Sequence, residues 1–136
     1  MSVRNIEQGF YNLPDTSITL NTSVAFNKTI TANINVLNGT VTLTLPPILG
    51  VIANSGSISL DLPPEYTFPS IIFSLVTFSC VVRSNDTIAS NLSTGHLNIN
   101  NGSIAIYADI NNSFFQVGSS KEMGLIYPLT ISYNLI

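Results

Sequence analysis

The side chains that could carry out acid, base or nucleophilic chemistry are few in this chain. His96 is the only histidine and Cys80 the only cysteine. A catalytic histidine needs a nucleophile or an orienting carboxylate within reach, and Asp109 is the nearest acid by strand register. Cys80 lies inside a long apolar run, which predicts a small buried hydrophobe rather than a reactive thiol. We therefore predict a surface or interface histidine, no catalytic residue and no enzyme.

No group of residues has the spacing of a metal or cofactor site. Zinc requires a cluster of cysteine and histidine, and calcium loops and two-carboxylate glycosidases require acids at fixed separations. The acids Asp61, Glu65, Asp86 and Asp109 are dispersed instead. We predict no metal and no cofactor.

Tyrosine and asparagine are the remaining residues with binding chemistry. The chain has five tyrosines and no tryptophan, and aromatic faces with amides suit a sugar surface, but the sequence does not group them. The Asn-x-Ser/Thr triplets are explained by a composition rich in these residues. A carbohydrate-binding, lectin-like surface module remains the alternative function.

Charge is scarce, at 8% of residues, and the net charge is −3. The basic residues are Arg4, Lys28, Arg83 and Lys121. Nucleic acids and membrane surfaces need clustered basic residues, so we predict that neither is a partner. Protein interfaces are depleted in Lys and Glu, and we interpret the scarcity of charge as a sign of self-association.

Targeting signals are also missing from the sequence pattern. The apolar runs fall short of the roughly 20 residues of a transmembrane helix, and the first residues lack the apolar core of a secretory signal. One cysteine excludes an intrachain disulfide. We expect neither a signal peptide nor a transmembrane segment.

The elements that must position these side chains are strands. Asn38-Gly39 predicts a type I′ hairpin, which pairs Val36 with Val41, Ile34 with Leu43 and Ala32 with Leu45. Asn101-Gly102 predicts a second hairpin, which pairs Ile99 with Ile104, Leu97 with Ile106 and Gly95 with Ala108. This register also sets His96 opposite Tyr107 on the polar face.

The whole pattern predicts an all-β fold. We expect an antiparallel two-sheet β-sandwich, a jelly roll of about eight to ten strands, over residues 16–136. Residues 1–15 show no period and predict an N-terminal arm or attachment segment. We expect a polar surface loop at 84–94, a strand at 113–117 and a charged turn at 118–124.

The longest apolar run, Ile71 to Val82, is the strand around which the domain is built. Apolar residues occupy both of its faces, whereas a strand with one wet face alternates. We predict that one face lies in the core and the other at or near a subunit interface. The predicted interface residues are Ile71, Phe73, Leu75 and Tyr133.

The order of these segments resembles a family of viral heads. NGTVTLTLPP, then SISLDLPP, then a long apolar strand and a final strand with alternating aromatic residues are similar to the head modules of phage tail fibres and giant-virus fibre proteins. Those heads resemble the trimeric jelly rolls of the tumour necrosis factor and complement globular-head class. The resemblance covers roughly residues 29–136 and implies a virion component, usually trimeric, that presents loops outward.

These expectations combine into one hypothesis. The chain is predicted to be a non-enzymatic viral structural protein, a self-assembling and trimeric jelly-roll module of a virion surface, capsid or fibre. Its polar loops serve attachment or lattice contacts, its residues 1–15 bind other virion proteins, and a host-surface glycan is a candidate ligand.

Overall fold

The computed structural model describes residues 3–5, 10–66, 73–82, 91–100, 102–118 and 120–134. Side-chain surroundings are described for residues 12–66, 92–100, 102–118 and 120–134. The strands are β1 (Val3–Asn5), β2 (Phe10–Val24), β3 (Lys28–Leu37), β4 (Thr40–Leu45), β5 (Ile48–Val51), β6 (Ile58–Asp61), β7 (Phe73–Val82), β8 (Asn91–Asn100), β9 (Ser103–Tyr107), β10 (Glu122–Leu125) and β11 (Leu129–Asn134). Within the described ranges the one helical element is a 3₁₀ turn at Pro64–Tyr66.

The strands pair antiparallel in the order β11-β4-β3-β2-β6-β9-β8-β7-β10-β5, and β1 pairs with β2. A Greek key consists of three consecutive strands and a fourth that returns beside the first. Strands β7, β8 and β9 followed by β10 form one such unit, and β2, β3 and β4 followed by β6 form another, with β5 in their connection. Two Greek keys define a jelly roll, and eleven strands are described where about eight to ten were expected.

The path of strands folds back on itself to make two layers. Only the last residues of β2, Thr22–Val24, pair with β6, and β11 lies close to β7 from the other half. A single core cluster contains buried residues from both halves. The predicted all-β antiparallel sandwich is therefore confirmed.

Both predicted hairpins form with the predicted register. The pairs are Val36 with Val41, Ile34 with Leu43, Ile99 with Ile104 and Leu97 with Ile106. Asn38 and Gly39 have φ of 50° and 81°, as a type I′ turn requires. The third expected pairs, Ala32 with Leu45 and Gly95 with Ala108, each lie one residue beyond the last pair of the observed ladder.

Hydroxyl and amide side chains replace charge on the outer face of β4 and β11. Every second residue of each strand points into the core, and the others form rows across the two strands. The rows are Thr40 with Asn134, Thr42 with Ser132 and Thr44 with Thr130, each at 3.2 Å. This is how a chain with 8% charged residues keeps a polar sheet surface.

Three local expectations were wrong. Residues 91–94 belong to β8 and pair with β7, so the surface loop predicted at 84–94 is shorter; residues 84–90 lie outside the described part. The segment 113–117 forms only an isolated bridge at Phe115, not a strand. The segment 118–124 ends in β10, because Glu122 to Leu125 pair with β5.

The predicted boundary between an N-terminal arm and the domain falls inside a strand. β2 begins at Phe10 and pairs with β1 through Phe10, Tyr11 and Asn12. An irregularity in the β2–β3 ladder lies between Leu13 and Thr16. Residues 1–15 as an attachment segment remain a prediction.

Candidate functional site

Antiparallel pairing places the irregular connections at two opposite ends of the domain. At one end, the loop pole, lie the connection 25–27, the segment 52–57, the loop 108–118 and the start of β8. The other end, the chain-end pole, carries the Asn38-Gly39 turn, and both the start of β2 and the last residue of β11, Asn134, lie toward it. The described chain thus enters and leaves at the same end.

The loop 108–113 is closed by its own hydrogen bonds. The amide of Ala108 donates to the carbonyl of Ser113 at 2.9 Å, and Asn112 N donates to Asp109 O at 3.2 Å. The Asp109 carboxylate accepts from Asn111 N at 2.8 Å and from Ser113 N at 3.1 Å. This Asx-type arrangement mimics a backbone turn, so the loop presents one defined surface.

Hydrogen bonds from the loop to the carboxylate lower the pKa of Asp109 below its ordinary value of 3.8. The largest cause is a hydrogen bond from the Ser113 side chain, followed by the bond from the Ser113 amide. Both donors favour the charged carboxylate.

This shift predicts a pH dependence of the loop. A carboxyl group whose pKa is depressed in the folded state stabilises it above the unfolded pKa, and that contribution is lost as the pH falls through the folded pKa. Amide exchange at Asn111 and Ser113 should therefore accelerate, relative to amides of β3, as the pH falls below about 4. Asp109→Asn should show the faster exchange already at neutral pH, and equal exchange in both proteins would contradict the assignment.

The second half of the loop is anchored in the core by Phe115, whose side chain is 0% exposed. Its amide donates to Gly56 O at 2.9 Å, and its carbonyl accepts in return from Gly56 N at 3.0 Å. Beside this bridge, Ser55 Oγ accepts from Val117 N at 3.1 Å. The loop is therefore attached to the segment 52–57 by backbone bonds in both directions.

Val24 and Gly56 fix a third part of the loop pole. Val24 has φ of 72°, an unusual backbone conformation for a β-branched residue. A Cβ atom added at Gly56 would lie 2.5 Å from Val24 Cγ1, so the close approach requires glycine. The buried hydroxyl of Thr22 donates to Phe26 O at 3.0 Å and closes the connection behind them.

His96 lies opposite Tyr107 as predicted, at the edge of this surface. Its Nδ1 pairs with Asn112 Oδ1 at 2.5 Å, so the partner of the ring is an amide and not the carboxylate of Asp109. The ring of Tyr107 stacks on Phe114 with an interplanar angle of 14° and centroids 6.4 Å apart. The arrangement offers an aromatic face with amides rather than an acid–base pair.

Two polar atoms beside this aromatic pair lack hydrogen-bond partners. They are His96 Nε2 and Asn98 Oδ1, both buried. Unpaired buried polar atoms are costly, and because both atoms are buried they are not part of the surface that a ligand would meet.

Of the four predicted interface residues, only Tyr133 has a side chain that the structure describes. Phe73 begins β7, but its side chain and that of Leu75 lie outside the described side chains, and Ile71 lies outside the described residues altogether. Tyr133 is 6% exposed and belongs to the core cluster of a single chain. Burial raises the pKa of Tyr133 to about 12. Its side chain therefore has little area left for a second copy.

The sequence interpretation missed the residues of the loop pole. SFFQV was interpreted as a strand, although Phe114 is half-exposed and Phe115 is fully buried. The available signal was the polar stretch Asp109 to Asn112 before the two phenylalanines, which favours a tight turn.

The described residues contain neither a group of metal-ligating side chains nor a helix that could span a membrane. There, no three potential ligand side chains come together as a metal site would need. Within the same residues, no helix has the length and apolar character needed to cross a bilayer.

Comparisons with known proteins relate the fold of this chain to a solved structure, but not its sequence to a family. No family model matches the chain, and no curated protein matches it by sequence. Its fold is similar to the crystal structure of a reovirus attachment protein, sigma1, in complex with α-2,3-sialyllactose, with a TM-score of 0.55 and 12% identity. The match covers 89% of this chain but only 64% of the sigma1 chain.

At that identity the similarity establishes the fold. The β-rich fold expected from the resemblance is confirmed at this level, as one similar to the fold of a viral attachment protein. Membership of the trimeric tumour necrosis factor class stays a prediction.

Proposed function

We propose that this chain is an attachment module of a virion surface, held through its chain-end pole and presenting its loop pole outward. The observation that carries the proposal is the fold similarity to a viral attachment protein. The placement of both described chain ends at one pole supports it, because a module joined to a virion there leaves the opposite loops free. Loops on a rigid scaffold are where binding residues concentrate.

The proposed partners follow from this orientation. Residues 1–15 contact other virion proteins, since residues 10–15 form the start of β2, toward the chain-end pole. The module acts by binding and not by catalysis, which agrees with a His96 that bonds an amide. Localisation is the virion surface, capsid or fibre.

Self-association as a trimer is part of the proposal. The low charge supports it. The proposed interface residues are Phe73 and Leu75 of β7, together with Ile71, which precedes β7 in the sequence. Tyr133 is left out of the proposed contact because it packs inside one chain.

Substitutions in β7 test the assembly. Phe73→Asp and Leu75→Asp should each convert the trimer to monomer or prevent folding, because a desolvated unpaired charge costs several kcal/mol, on the order of 3–5. Thr87→Asp, in the polar segment after β7, is the control and should leave both folding and mass unchanged. Sedimentation velocity measures the mass, and a wild-type monomer or fully assembled β7 variants would refute the trimer.

A carbohydrate-binding module is the second candidate function. It is favoured by the Tyr107–Phe114 pair and by the exposed amide of Asn112 next to it, since sugars offer apolar ring faces and hydroxyl groups. A glycan array tests it: binding lost in Tyr107→Ala would support this candidate, and an array without signal above background would remove it.

The attachment proposal itself is tested by cell binding. Purified chain labelled at its N-terminus should bind a panel of cultured cell types saturably, and unlabelled chain should compete with it. Absence of competed binding to every cell type would contradict the proposal.

A further inference from the structure

The large apolar side chains that are exposed concentrate at the loop pole. Among the described side chains, eight large hydrophobic residues are markedly exposed. Six of them, 46–62% exposed, lie on the segments that make the loop pole: Val24, Val51, Leu92, Ile110, Phe114 and Val117. We call these six the apolar rim. Leu37, which is 64% exposed, lies at the chain-end pole.

Direct contacts show that the rim segments adjoin one another. Val24 approaches Gly56, which pairs with Phe115 between Phe114 and Val117. At the other side, Ser93, next to Leu92, donates its hydroxyl to the carbonyl of Ala108, two residues before Ile110. Segments that carry rim residues therefore adjoin one another at this end of the domain.

Polar groups between the rim residues are largely engaged inside the protein. The Asp109 carboxylate holds two loop amides, Ser55 Oγ accepts from Val117 N, and Asn112 is bonded to His96. Exposed polar side chains such as Asn54, Asn111 and Gln116 lie on the same segments, next to the exposed apolar residues. Exposed apolar patches with polar surroundings mark protein interaction sites.

The charges near the rim disfavour an anionic ligand. Among the described side chains the cations are Lys28 and Lys121, and the Lys28 ammonium donates to Leu49 O at 3.0 Å. Sialylated or sulfated glycans and anionic membranes would meet a chain with a net charge of −3 and no basic cluster.

A second copy does not fit the rim in the proposed assembly. Copies held side by side through their chain-end poles point their loop poles in the same direction, so their rims do not face each other. The described chain ends lie at the opposite pole and do not cover it.

We propose that the apolar rim is the docking surface for a protein on the host cell, one that offers an apolar patch with few acidic residues. This inference rests on the proposed attachment function and names the class of ligand that the loop pole takes. Phe114 and Val117 are its central contacts, because both lie on the segment that the Phe115–Gly56 bridge and the Ser55 hydroxyl hold in place.

Selection of random displayed peptides against the immobilised full chain tests the rim without a known receptor. Enriched peptides should be aromatic and aliphatic, and their binding should weaken at least about tenfold in Phe114→Ser and in Val117→Ser. Leu37→Ser is the matched control, an exposed apolar residue removed at the other pole, and should leave binding unchanged. Circular dichroism checks that all three variants are folded.

Several results would overturn the inference. They are a selection without enrichment, enriched peptides that bind the rim variants as tightly as the wild type, and binding to a glycan array or to phosphatidylcholine vesicles that these variants abolish. The peptide selection is independent of the cell-binding test. If the chain binds no cell but still selects peptides that depend on the rim, the attachment proposal is contradicted and the rim remains a binding surface.

Discussion

Gly124→Ala should destabilise the protein by about 3 kcal/mol or more, a large part of the 5–15 kcal/mol that holds a typical domain together. Gly124 lies in β10, which pairs with β5 on one side and β7 on the other. Its φ is 136°, which side chains rarely adopt. An added Cβ would lie 2.2 Å from the backbone oxygen of Ile48, so two strands would have to separate.

Gly118→Ala is the matched control for this substitution. Gly118 has φ of 133°, but a Cβ there meets nothing within 4 Å. It should therefore cost only the backbone strain, about 1–2 kcal/mol. Urea unfolding followed by circular dichroism measures both, and equal effects of the two substitutions would show that the close contact with Ile48 is not what requires glycine.

Phe115→Ala should cost about 3–5 kcal/mol, as is usual when a buried phenylalanine is truncated. The side chain is fully buried, and the cavity would open beneath the loop 108–118. Phe115 also makes the two-way backbone bridge to Gly56. Without the side chain that anchors it in the core, this bridge should loosen, so peptide binding at the rim should weaken even where the domain remains folded. The neighbouring residues of the rim depend on that anchor for their positions.

Phe114→Ala provides the comparison within the same loop. Phe114 is half-exposed and stacks on Tyr107, so its removal should cost no more than about 1.5 kcal/mol. Urea unfolding separates the two residues by their stability effects, and peptide binding should fall in both. If Phe115→Ala is as stable as Phe114→Ala, the loop is not anchored as described.

The hairpins could be predicted because the information is local. Asn38-Gly39 favours one turn, and the alternation on both sides allows one register, so Val36 had to face Val41. The apolar face of β3 and the apolar face of β4 then lie on the same side of the sheet, which is the side that faces the core. The same logic set His96 opposite Tyr107.

The loop pole could not be predicted because its contacts are distant in sequence. Phe115 meets Gly56, and Ser93 meets Ala108, and no period or turn motif links those positions. Phenylalanine and valine are common in strands, and residues 113–117 contain both, so this segment resembles a strand in composition. Only the paired strand directions bring these loops to one end.

The charge deficit found in the sequence has two physical consequences in the fold. Threonine, serine and asparagine rows cover the outer face of β4 and β11, and apolar side chains remain exposed at the loop pole. A chain with few Lys and Glu residues has little to protect such a surface from association. This agrees with a module that works by contact.

Binding through one pole is the central claim, and coupling the chain to beads in two orientations tests it most directly. Leu37→Cys and Asn111→Cys each place a biotinylation site on an exposed residue, at the chain-end pole and the loop pole respectively. On streptavidin beads, the Leu37→Cys protein should adhere to cells that bind the soluble chain, and the Asn111→Cys protein should not. Equal adhesion in both orientations, or adhesion only of the Asn111→Cys beads, would contradict the claim.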